Sequence, residues 1–185
     1  KDTVNILLDG NAMAAGLLKN GHSRMVTPKK MNLDGGFLGA EESDYVPYIE
    51  TCDKIHAQTN VAYGMFPNFI TPTDTSGYPA ILFWPKGLRE TEFEWTQLAP
   101  KWPGDEKPDY WNEQETSFDS IMDEDFQNLE PMQRSHDAGV FESMPLNYQE
   151  RRIYYYHQVI DDWIGRDNLP ENIQVPNVLD PFIEI

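Results

Sequence analysis

Cysteine is almost absent from this chain, with Cys52 standing alone. A single thiol excludes an internal disulfide and any zinc or iron–sulfur site built from several thiolates, and it fits a reducing, cytoplasmic location. Basic residues are scarce too: 14 Lys and Arg stand against 31 Asp and Glu in 185 residues, a formal net charge of −17. Phosphate recognition needs a basic face, and these few cations do not cluster, so nucleic acid is not an expected partner. No apolar run approaches the roughly 18 residues of a membrane span. Lys1-Asp2-Thr3-Val4-Asn5 lacks the basic start and apolar stretch of a signal peptide. No initiator Met is present, so the expectation is a chain that begins within a gene or after processing. Gly-rich phosphate loops, a G-x-S-x-G elbow and an H-E-x-x-H pair are all missing.

Aromatic residues, by contrast, are plentiful. Nine Tyr, nine Phe and five Trp are too many for a disordered acidic tail, and the length suits a single domain over residues 1–185 with a sizeable core. Ala12 to Leu18 reads as a short helix, Gly21 to Val26 as a strand, and Pro28 to Glu42, with Gly35, Gly36 and Gly39, as a loop. Ser43 or Asp44 can cap a helix running to about Gln58. Phe66 to Thr71, Tyr78 to Trp84 and Thr91 to Thr96 then read as consecutive antiparallel strands. In the last, Phe93 and Trp95 alternate with acids, the mark of a sheet with one wet face. Helices are expected from Tyr110 to Ser135 and from Glu150 to Gly165. Strands followed by long helices make an α+β pattern, with the helices packed on one sheet face.

The long helix holds one residue that does not fit a core. At about 100° per residue, Phe118, Ile121, Met122, Leu129 and Met132 share one apolar stripe, and Asp125 falls near its middle. Asp119, Asp123, Glu124 and Glu130 lie outside it. A carboxylate on a buried face needs a basic partner, a proton or a metal ion to offset desolvation. A structural hydrogen bond, or a face wetter than the pattern suggests, is the plainer reading. His22, His56, His136 and His157 are scattered, without an H-x-x-x-H pair, so the chain alone does not supply a complete metal site. Cys52 has no His at a motif spacing and reads as packing.

The segment Met122-Asp123-Glu124-Asp125-Phe126-Gln127-Asn128-Leu129-Glu130-Pro131-Met132-Gln133-Arg134 resembles the acidic helix motif in the catalytic domain of Rieske-type ring-hydroxylating oxygenase large subunits. Gly139-Val140-Phe141, the helix beginning Glu150-Arg151-Arg152 with its Trp163, Phe66-Pro67-Asn68, Phe83-Trp84-Pro85-Lys86-Gly87 and Gly21-His22-Ser23 are similar to other parts of that domain, in the same order. The resemblance implies a helix-grip, START-like fold: an antiparallel sheet wrapped around a long C-terminal helix. It implies that Asp125 is the carboxylate ligand of a mononuclear Fe(II) whose two His ligands come from a D-x-x-H-x-x-x-x-H motif.

That motif is missing, and so are the Cys–His pairs of the Rieske [2Fe-2S] cluster. Lys1-Asp2-Thr3 resembles the segment just after the second His, so the chain is expected to be the C-terminal portion of a longer subunit. The family's reaction hydroxylates an aromatic substrate with O2. Its electrons come from NAD(P)H through a reductase, in some members a ferredoxin, and the Rieske cluster. Trimers are common, some with a small second subunit. Candidate pocket residues are Phe118, Ile121, Met122 and Leu129 beside Asp125, and Leu7, Leu8 and Met13 from the first segment.

Two other classes remain open at this point. A non-enzymatic helix-grip protein would hold an apolar small molecule and has no reason to place a carboxylate in mid-stripe. An acidic interaction subunit would carry Asp125 on its surface.

Overall fold

The structure is a computed structural model that describes residues 13–28, 49–73, 75–141 and 143–184. Its centre is one sheet of strands β1 (Ala14–Leu18), β2 (Ser23–Pro28), β3 (Thr59–Met65), β4 (Phe69–Thr73), β5 (Tyr78–Gly87), β6 (Glu90–Leu98) and β7 (Ile183–Glu184), in the order β6-β5-β4-β3-β2-β1-β7. Consecutive strands are antiparallel, as short turns between neighbours require; β7 alone runs parallel, against β1. The helices are α1 (Lys54–Gln58), α2 (Asp109–Asp137) and α3 (Arg151–Ile164). The α+β class expected from the sequence is what the chain adopts, with a long helix and a C-terminal helix on a mostly antiparallel sheet.

The pairing register shows where the helices sit. Leu17, Ser23, Gly64, Ile70, Ile81 and Trp95 are successive partners across the ladder, so they project from one face. Tyr155 and Val159 of α3 are buried against Leu17 at one side of that face, with Phe66, Leu179 and Ile183 around them. Phe118 of α2 packs on Trp95 at the other side, ring centroids 4.5 Å apart. Both helices therefore cover the same face. Between them, over β3 and β4, the row presents only Gly64 and an Ile70 that is 41% exposed.

Several local expectations change. Ala14–Leu18 is a strand, not a helix. Its Ala and Leu favour helix in isolation, but pairing with both β2 and β7 overrides so weak a preference. β3 escaped the sequence reading because Asn60 and Gly64 interrupt its apolar alternation. The helix expected from residue 43 to 58 is confined to Lys54–Gln58 within the described residues, and residues 29–48 lie outside them. The strand expected at Phe66 to Thr71 begins at Phe69, after a Phe66–Pro67 cis peptide. The two long helices match their expected spans to within two residues.

A clasp fixes α3 to the β1–β2 turn. The Tyr155 hydroxyl donates to the Leu18 carbonyl at 2.8 Å and accepts from the Gly21 N–H at 3.3 Å. Gly21 sits at φ +81°, and a Cβ there would stand 2.9 Å from both Phe66 Cγ and Val159 Cγ1, so the turn needs glycine for conformation and for space. Beyond α3, Asp161 accepts the Val175 N–H at 2.6 Å and Arg166 donates to the Val175 carbonyl at 2.8 Å, holding the tail against the end of the helix. Among the described residues, no helix is long and apolar enough to cross a membrane.

Candidate functional site

The helix α2 spans about 43 Å at 1.5 Å per residue. Tyr110, Trp111, Gln114 and Phe118 are buried. Beyond them Met122 and Phe126 are half-buried, the Phe126 ring lying edge-on to Phe93 at 4.9 Å, which in turn meets Phe83 at 5.5 Å. The contact row thus runs 114, 118, 122, 126, the i±4 ridge that inclines across a helix surface. By the level of residue 125 the sheet-facing direction has rotated to Phe126, about 100° away from Asp125.

Asp125 is consequently exposed. The expected burial in mid-stripe is corrected: the stripe exists, but the sheet follows only its inclined edge. Ile121 (41%), Leu129 (55%) and Met132 (51%) are exposed as well. Past Phe126 the residues of α2 are exposed to its end. Asp137, in the final turn, is tied to Arg89 in the β5–β6 turn. Met13 is 44% exposed and precedes β1, which lies five strand spacings from β6, roughly 24 Å along the sheet. It is not beside Asp125 along that path. Leu7 and Leu8 lie outside the described residues. Of the described candidate pocket residues, only Phe118 is fully buried and Met122 half-buried.

The histidines are engaged elsewhere or apart. His22 Nδ1 accepts the Phe66 N–H at 3.1 Å. The His136 and Phe141 ring centroids lie 5.9 Å apart, and His157 is exposed beside Tyr156. His56 bridges Asp53 and Tyr63, with Nδ1 2.9 Å from Asp53 Oδ1 and Nε2 3.1 Å from the Tyr63 hydroxyl. Asp53 also caps α1 by accepting the His56 N–H, and these bonds hold its carboxyl below the usual carboxylate range. The three-residue offset from Asp53 to His56 is the cap spacing that could have marked this network in the sequence. Cys52 is half-buried and precedes the cap.

Among the described residues, no group of three His, Cys, Asp or Glu could hold a metal ion. The Asp125 carboxylate makes no hydrogen bond or ion pair with them, whereas Asp119 accepts from Trp95 Nε1 at 3.1 Å and Glu130 pairs with Arg134. It is one free donor, not a site. The described residues by themselves do not fit a mononuclear iron.

A second charged group without an ionic partner among the described residues stands on α3. Arg152, in the first turn of α3, donates through Nε to Ser23 Oγ at 3.0 Å, and its Nη2 hangs over Gly64, 3.3 Å from where a Cβ would be. Burial without a carboxylate nearby pushes its guanidinium below the ordinary value. Sequence reading passed over it, since Glu150-Arg151-Arg152 looks like an exposed helix start.

Comparison with known proteins gives one finding. A model of the family described as ring hydroxylating alpha subunit (catalytic domain) matches residues 17–166, most of the chain. No curated protein and no solved structure matches it.

Proposed function

Because the chain belongs to the ring-hydroxylating alpha subunit catalytic-domain family, and so to an aromatic-hydroxylating oxygenase family, we propose that it is the C-terminal portion of the iron-bearing domain of a Rieske-type oxygenase. In this reading Asp125 is the carboxylate ligand of a mononuclear Fe(II), and the paired His ligands and the Rieske [2Fe-2S] domain belong to sequence outside the 185 residues. Such an iron has open positions for O2 when held by two His and one carboxylate. Electrons reach the site from NAD(P)H through a reductase, with or without a ferredoxin, and the working particle is a trimer-based assembly in the cytoplasm. Phe118, Ile121, Met122 and Leu129, with Leu7, Leu8 and Met13, are the proposed pocket residues.

The observation that carries this reading is the family match, with the Met122-to-Arg134 motif inside it and on a single helix. Exposure of Asp125 is what an acidic interaction subunit would show, but that alternative gives no reason for a match across residues 17–166. An exposed, unpartnered carboxylate is also a group still able to bind a cation. The apolar-binding alternative gains no support, since Ile121 and Leu129, the apolar residues four positions either side of Asp125, are themselves exposed.

The test is turnover. The full-length subunit with its reductase, given NAD(P)H, 18O2 and benzene, naphthalene or benzoate, is expected to yield a hydroxylated product carrying the label. Binding of an arene without any labelled product would instead support the ligand-binding alternative.

A further inference from the structure

The tyrosines of this chain differ in what their hydroxyls face. Tyr154, Tyr155 and Tyr156 each donate to a backbone carbonyl, of Pro176, Leu18 and Pro67, at 3.1, 2.8 and 2.8 Å. The Tyr148 ring lies under the Arg151 guanidinium. Tyr63 faces a base: its hydroxyl is 3.1 Å from His56 Nε2, and the two rings lie 24° from parallel. A carbonyl oxygen accepts a hydrogen bond without taking the proton, whereas an imidazole near neutral pH takes it readily.

A third residue sets the direction of that bond. Asp53 Oδ1 lies 2.9 Å from His56 Nδ1 and also accepts the His56 backbone N–H as the cap of α1. These bonds hold the Asp53 carboxyl below its usual range, so it is an ionised group that only accepts. The ring proton of a neutral His56 therefore sits on Nδ1, Nε2 is the acceptor, and the Tyr63 hydroxyl donates to it. Tyr63 pairs in register with Arg24 and Thr71, on the sheet face opposite the one that Gly64 shares with α2 and α3. Arg24 has its own carboxylate in Glu184. Tyr63 and His56 are half-buried and Asp53 is exposed, so the relay meets solvent at one end.

We propose that Tyr63 is a redox-active tyrosine, with His56 as the acceptor of its proton and Asp53 as the positioning residue that aims the imidazole. A one-electron oxidant, such as an oxygen-centred radical, takes an electron from the phenol and is reduced. The Oη–H bond breaks, and the proton moves to His56 Nε2. The products are a neutral tyrosyl and an imidazolium whose charge Asp53 offsets. A thiol or ascorbate returns the electron and the proton goes back to Oη. The site is a sink for oxidising equivalents on the side of the sheet away from the two long helices. It shares no residue with the pocket proposed around Asp125, handles no substrate and does not depend on the oxygenase reading.

Flash oxidation of the full-length subunit with photogenerated ruthenium(III) tris-bipyridine, read by electron paramagnetic resonance, tests the assignment. Wild type is expected to give a tyrosyl signal that narrows when the protein carries ring-deuterated tyrosine. Tyr63→Phe should lose most of that signal. His56→Gln keeps the phenol but removes the base, and should lose it as well. Asp53→Asn, which still caps α1, should fall between. If His56→Gln does not fold, wild type carries the test: its signal should form more slowly in heavy water than in ordinary water, because the proton moves with the electron. A tyrosyl yield in Tyr63→Phe equal to that of wild type, an undiminished signal in folded His56→Gln, or equal rates in the two solvents would overturn the proposal.

Discussion

Phe118 and Asp125 lie a heptad apart on α2, only about 20° apart around its axis, yet one is 2% exposed and the other faces solvent. The difference is what lies opposite: Trp95 under Phe118, and nothing described under Asp125. Phe118→Ala should therefore cost about 3–5 kcal/mol of stability in urea denaturation. Leu129→Ala, at the same angular position but 55% exposed, should cost under about 0.5 kcal/mol. Similar losses for the two would mean that the exposed half of the helix is packed after all. A helical wheel finds which residues share a face, and it found this stripe. It carries no information on how far along the helix a partner extends or at what angle it crosses, so the exposure of Ile121, Asp125 and Leu129 was not legible. Arg152 was hidden for the converse reason: nothing in Glu150-Arg151-Arg152 shows that α3 lays one of two adjacent arginines onto a glycine in the sheet.

At the scale of elements, side-chain bridges hold the two long helices to strand ends. For α3 the Tyr155 clasp on the β1–β2 turn links residues more than a hundred positions apart. Tyr155→Phe keeps the buried ring and should lose about 1 kcal/mol, measured by chemical denaturation; no change would mean that the hydroxyl bonds contribute nothing net. For α2 the link is Asp137, whose carboxyl is held below the usual range first by the Gln133 side chain and then by Arg89. A group with a depressed folded pKa adds stability above its unfolded pKa, about 3.9 for Asp, and loses it as pH falls through the folded value. Asp137→Asn should thus lower the Tm at pH 6 and converge with wild type at low pH. A constant Tm gap across that range would contradict the link. Spans of α2 and α3 were readable from the sequence because their apolar periodicity is long. β1 and β3 were not, since their strand character comes from neighbours on both sides.

Over the whole molecule, the sheet carries both long helices on one face, and the chain as a whole carries an excess of acid. The α+β class followed from the order of strands and helices, and the family from the order of motifs. A set of iron donors could not be read, since the sequence carries no D-x-x-H-x-x-x-x-H motif and the described residues hold no group of three His, Cys, Asp or Glu able to bind a metal ion. The central claim is that Asp125 nonetheless holds the metal when the rest of the subunit is present. Metal analysis of the full-length protein, comparing Asp125→Ala with Asp123→Ala, tests it most directly. The account predicts that Asp125→Ala loses the mononuclear iron and keeps the Rieske absorbance, while Asp123→Ala keeps both. Iron content in Asp125→Ala equal to that of wild type would contradict it.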